Sequence, residues 1–137
     1  MAHWLMKSEP SVWSWNQQVE AGAKGTFWNG VRNHSAKLNL MAMQIGDQAF
    51  FYHSTEGKAI VGIVEVTKLF YPDPSDATGK FGMVDIRAVE PLPDPVSLDT
   101  IKADKRLAKM ELVVNSRLSV QKVTDVEWRH VRQLGGL

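Results

Sequence analysis

The chain has 137 residues, 44% hydrophobic and 23% charged, with 16 Lys and Arg against 15 Asp and Glu for a formal net charge of +1. That length fits a single domain over residues 1–137 with enough buried surface for a core that needs no staples. Zero cysteines exclude a disulfide framework, a thiol nucleophile and a thiolate metal site. The small net charge argues against a protein that coats DNA non-specifically.

No apolar run approaches the roughly 18 residues of a membrane span, and Met1-Ala2-His3-Trp4 has no basic region leading into an apolar signal core. A cytoplasmic protein without a membrane partner is expected. The charge is unevenly spread: from Lys102 to Arg132 eight basic residues face four acidic ones, whereas Phe70 to Asp99 carries six acids against Lys80 and Arg87. A dipolar chain of this kind can turn one basic face to phosphates; solvated helix surfaces read the same way.

His3 to Met6 is apolar enough for a strand buried on both faces, ended by Lys7-Ser8-Glu9-Pro10. Ser14-Trp15-Asn16-Gln17 fits a capping box, predicting a helix to about Ala21 closed by Gly22. Next comes Phe27-Trp28-Asn29-Gly30-Val31-Arg32-Asn33. Trp28 offers a π-face, Arg32 a five-donor fork, Asn29 and Asn33 amides that donate and accept, and Gly30 backbone freedom. That is equipment for holding a heterocyclic base; the alternative is a core Trp followed by an ordinary Asn-Gly turn.

A second helix is predicted over 35–43 and a turn at Gly46-Asp47. Gln48 to Ser54 and Ala59 to Phe70 form a hairpin across Thr55–Lys58, with Gly62 marking a bend or a close approach. Tyr71 to Lys80 reads as a surface loop and Phe81 to Val89 as a third strand, which Pro91, Pro93 and Pro95 should end. Ser97 caps a helical turn through Ile101, Lys105 to Leu112 is a short helix, and Ser116 to Val120 is a last strand. Thr124-Asp125-Val126-Glu127 is a capping box with Val123 and Trp128 as its staple, opening a final helix that runs to about Leu134 and stops at Gly135-Gly136. The fold class this implies is α+β: a small mixed β-barrel or curved sheet flanked by short helices.

No metal is expected, because His3, His34, His53 and His130 show no ligand spacing. No phosphate loop or nucleophile elbow is present, so no cofactor is expected either. Lys7-Ser8-Glu9 and Tyr52-His53-Ser54 carry groups used in catalysis, but neighbours on a strand face opposite ways, so His53 cannot activate Ser54. The aromatic residues are the stronger lead. Trp4, Trp13, Trp15 and Trp28 lie in the first 28 positions, with Tyr52 able to close on them.

Five blocks together carry a resemblance: 4–10 (WLMKSEP), 28–33 (WNGVRN), Gly46-Asp47, 51–54 (FYHS) and 116–120 (SRLSV). In order and spacing they resemble the EVE domain, over nearly the whole chain. The resemblance implies a PUA-like fold related to YTH and ASCH domains, and a reader of modified bases such as methylated or hydroxymethylated cytosine in DNA, or a modified base in RNA. It puts Ser8 and Trp28 in the roles of the YTH Ser and first cage Trp. On that basis a modified base stacks on Trp28 with Tyr52 as a second wall, while Ser8, Asn33 and nearby groups read its edge. Arg32, Arg117 and Lys7 meet phosphates or fix the walls, His53 and Ser54 line the rim or floor, and Asn29 and Ser116 complete the set. A separate nuclease or effector is the partner such a reader calls for.

The chain departs from the family pattern at Asn29, commonly Asp, which puts an ion pair with Arg32 in doubt; at Phe81, usually Trp; at Lys122, commonly Pro; and in a short 71–80 loop. Two other readings stay open: an ASCH-like amidohydrolase acting on a modified nucleoside, with Lys7 and Glu9 converging, and a protein-interaction adaptor.

Overall fold

The computed structural model describes residues 2–137. A mixed six-stranded sheet in the order β2-β5-β4-β3-β1-β6 forms its centre. The strands are β1 (His3–Ser8), β2 (Thr26–Phe27), β3 (Gln48–His53), β4 (Ala59–Pro72), β5 (Gly82–Ser97) and β6 (Val120–Val123). The sheet is open, with β2 and β6 as its edges. All neighbours are antiparallel except β1 and β3, which run parallel.

Both faces are covered, which explains the unbroken apolar runs in β1 and β3. Trp4, Met6 and Phe51 face one core cluster, beneath α1 (Trp15–Glu20) and α2 (His34–Ala42). Leu5, Phe50 and Tyr52 face the other, beneath α3 (Leu98–Ala103), α4 (Glu111–Val114) and α5 (Asp125–Leu134). Both expected capping boxes form, Ser14 with Gln17 and Thr124 with Glu127. Val123 and Trp128 share one core cluster, as a staple requires.

Gly62 is the close approach expected of it. The β3–β4 register slips between Phe51 and Tyr52, and a Cβ on Gly62 would overlap the Trp15 ring. The extra residue lets Ile60 and Ile63 both face the second cluster.

Four expectations need correction. First, β5 continues through Pro91, Pro93 and Pro95 to Ser97. Its outer neighbour β2 pairs only at Asp85 and Ile86, so beyond them β5 has an open edge where a missing N–H costs no ladder bond. Pairing with β4 lapses between Pro91 and Val96 and then resumes, so Pro93 and Pro95 occupy a bulge. Second, the helix expected over 105–112 is split. Asp104 caps a 3-10 turn at Lys105–Leu107, and Met110, extended at ψ 138, separates it from α4.

Third, residues 116–119 form a turn and the strand is Val120–Val123. The buried Gln121 amide donates to the carbonyls of Asn115 and Leu118, at 3.1 and 2.9 Å, which holds that turn against the sheet. Fourth, β1 and β4 run two residues further than expected, and the loop after β4 is not wholly surface: Asp73 is buried, 3% exposed.

Candidate functional site

A cleft of about 810 Å³ opens where β1 ends. Its walls are the end of β1 (Lys7, Ser8) with Glu9 just beyond it, Val12 and Trp13 ahead of α1, the continuous run 26–33, and Ser119 ahead of β6. That volume suits a nucleotide-sized ligand.

The 26–33 wall is built by β2. Gly25, at φ 71, sits so close to the Ile86 carbonyl that no Cβ fits, which brings Thr26 and Phe27 onto β5. The Trp28 N–H extends that pairing to the Val84 carbonyl at 2.8 Å. Trp28 is 8% exposed and meets Phe51 edge-on, with centroids 5.6 Å apart at 87°. It is a core residue with one side bordering the cleft. At the other end Asn33 is the N-cap of α2, its Oδ1 accepting from the Ala36 N–H at 2.9 Å, so its amide nitrogen is the part left for a ligand.

Across the cleft, the Ser8 hydroxyl donates to the Trp13 carbonyl at 2.5 Å, and the Trp13 Nε1–H donates to the Oε1 of the fully buried Gln18 at 2.9 Å. Those two bonds fix the Trp13 indole. Trp13 was not among the expected binding residues. Its signal lies in its place directly before the Ser14 cap, which returns the chain towards the end of β1.

Of the expected residues, Lys7, Ser8, Trp28, Asn29, Arg32 and Asn33 come together on the cleft, and Tyr52, His53, Ser54, Ser116 and Arg117 do not. Tyr52 belongs to the core cluster on the opposite sheet face from Trp28, because it alternates with Phe51 along β3; it is no second wall. His53 accepts from the Trp15 N–H through Nε2 at 3.0 Å, satisfying a free donor in the first turn of α1, and burial lowers its pKa. The Ser54 N–H ties β3 to the Ser8 carbonyl at 2.9 Å. The Ser116 carbonyl accepts from the Lys7 ammonium at 2.6 Å. Lys7 also lies 5.9 Å from the Tyr52 ring centroid, and burial lowers its pKa. Arg117 is exposed on the 116–119 turn.

The residue that organises the 29–33 wall is Asp73. Its Oδ2 accepts from the Gly30 N–H at 2.8 Å and from Arg32 Nη1 at 3.1 Å, while its Oδ1 accepts from the Ser75 N–H at 2.8 Å and the Ser75 hydroxyl at 2.6 Å. The Arg32 Nη2 donates to the Ser75 hydroxyl at 2.9 Å. An ion pair with Arg32 therefore exists, supplied from the loop after β4 rather than from position 29. Phe81 is 5.8 Å from the guanidinium.

Burial by itself would raise the Asp73 pKa. The bonds from Ser75, Gly30 and Arg32 outweigh it and hold the carboxyl well below the usual carboxylate range. Because the folded pKa is depressed, the stabilisation is complete above the ordinary value of 3.8 and is lost as pH falls through the lower folded value. Thermal melts from pH 5 to pH 2 are therefore expected to fall more steeply for the natural chain than for Asp73→Asn; parallel curves would remove this role.

The EVE domain profile matches residues 2–134. Human thymocyte nuclear protein 1 is 33% identical over 97% of this chain and 73% of its own length. Rpa0253 from Rhodopseudomonas palustris superposes with TM-score 0.94 at 61% identity, covering 99% of this chain and 94% of that one. Human THYN1 in complex with 5-methylcytosine-containing DNA superposes at TM-score 0.91 and 31% identity, covering 100% and 99%. The YTH domain of Zygosaccharomyces rouxii MRB1, at 16% identity and TM-score 0.59 over 99% and 85%, shares the PUA-like fold. With its sheet, its cleft and nearly every residue inside that profile, the chain belongs to the EVE domain family.

Proposed function

We propose that this chain is a non-enzymatic nucleic-acid-binding module that reads a modified base, such as methylated or hydroxymethylated cytosine, in the cleft between Trp13 and Trp28. The observation that carries the reading is two tryptophans on one nucleotide-sized cleft, each held by hydrogen bonds to the fold. The 5-methylcytosine DNA bound by human THYN1 supports the ligand class.

Stacking supplies affinity, ~1–3 kcal/mol per base. Burying one added methyl contributes ~0.8 kcal/mol, roughly a fourfold preference. In this reading the Asn33 amide nitrogen and the Ser8 oxygen would read the edge of the base. A separate nuclease or other effector would give the binding its consequence. The amidohydrolase alternative is less well supported, since the Lys7 ammonium turns to the Ser116 carbonyl and makes no ion pair with Glu9 among the described residues.

The test is fluorescence anisotropy at one fixed moderate salt concentration. Single- and double-stranded DNA and RNA are compared with and without methylated and hydroxymethylated cytosine and methylated adenine. Preference for one modified member is the expected result. Equal binding throughout would sink the reader.

A further inference from the structure

Both cations on the cleft wall already bond to the protein. Lys7 donates to the Ser116 carbonyl, and three of the five Arg32 donors go to Asp73, Ser75 and its neighbour's carbonyl at Val31, 3.0 Å away. The Arg32 side chain is 39% exposed, so water reaches it, yet each of its Nη atoms donates to the 73–75 loop. The Asp73 side chain is fully buried. Removing a carboxylate from water carries a desolvation cost of several kcal/mol, which the bonds from Gly30, Arg32 and Ser75 offset.

We propose that Asp73 is a specificity-determining residue of the cleft: it withholds the Arg32 guanidinium from phosphate and, through the Gly30 N–H, holds the wall on which the base is read. This rests on the reading under Proposed function. A phosphate contact carries no base information, because every nucleotide offers the same oxygens. A free Arg32 would grip DNA with any base, or none, in the cleft. Loss of Asp73 thus strengthens the non-specific mode, and at the same time the specific mode loses its aligned wall.

The measurement is the salt dependence of anisotropy for two DNA duplexes of one sequence, with and without 5-methylcytosine. Each phosphate contact adds about 0.9 to the slope of log affinity against log salt on a duplex. Asp73→Asn is expected to steepen the slope by about one unit on both duplexes, to tighten binding of the unmodified one at low salt, and to lower the modified-to-unmodified ratio. Arg32→Met in the Asp73→Asn background should return the slope to its starting value.

Ser75→Ala removes only the second anchor of the fork. It should give a smaller change of the same sign, and it decides the matter if Asp73→Asn does not fold. An unchanged slope, a parallel loss of both affinities, or a gain that persists without Arg32 overturns the inference. The slope on unmodified DNA is read whether or not the natural chain prefers the modified duplex. Failure of the reader and failure of this role are therefore separate results.

Discussion

Trp28→Ala is expected to weaken binding of the preferred modified oligonucleotide by roughly 5- to 150-fold, the equivalent of one lost stack of ~1–3 kcal/mol, and to erase the preference over the unmodified strand. The substitution also costs stability. Trp28 packs edge-on against Phe51 and is only 8% exposed, so roughly 3 kcal/mol is expected, the low end for Trp→Ala because one side borders the cleft and not packed neighbours. Trp28→Leu separates the two effects. It keeps apolar volume against Phe51 but has no π-face, so it should lose selectivity at a smaller stability cost. Binding by Trp28→Leu equal to that of the natural chain would mean that Trp28 is core and nothing more.

Trp128→Ala should give the complementary result. The Trp128 ring is stacked between Phe50 at 4.0 Å and His3 at 4.3 Å, is 4% exposed, and lies in the core cluster on the face away from the cleft. Its loss removes both stacks and leaves a cavity in the core between α5 and the sheet. A cost of ~3–5 kcal/mol is expected, a large share of the ~5–15 kcal/mol a domain has, with a fall in Tm of roughly 10–20 °C. The ratio of modified to unmodified affinity at a temperature where the variant is folded should not change. A fall in Tm of only two or three degrees would mean that the ring is not clamped as described.

Legibility in the sequence followed the range of the interaction. Ser14 with Gln17 and Thr124 with Glu127 act over three positions, so both helix starts were readable. The wall from Trp28 to Asn33 was readable by its composition, though not that Asn33 spends its oxygen on a cap. Tyr52 was misplaced because β3 is buried on both faces, and an apolar run with two buried faces carries no sign of which side each ring takes. Asp73 sits in a loop rich in Pro and Asp, and its role depends on partners 41 and 43 positions earlier. No local pattern encodes such a contact. The prolines of β5 misled for a related reason: whether a missing N–H matters depends on whether another strand lies on that side.

The place of β1 between β3 and β6 has a consequence for biosynthesis. During synthesis β1 is flanked by one strand that follows some forty residues later and another that arrives only at Val120–Val123. Until then Trp4 to Met6 offers an unpaired flank of high β-propensity to any other chain nearby. Pairing of Val120–Val123 with His3–Met6 closes that flank. A nascent or truncated chain ending before Val120 should be recovered in aggregates rather than as a weaker version of the same protein, because the missing strand covers the opening one.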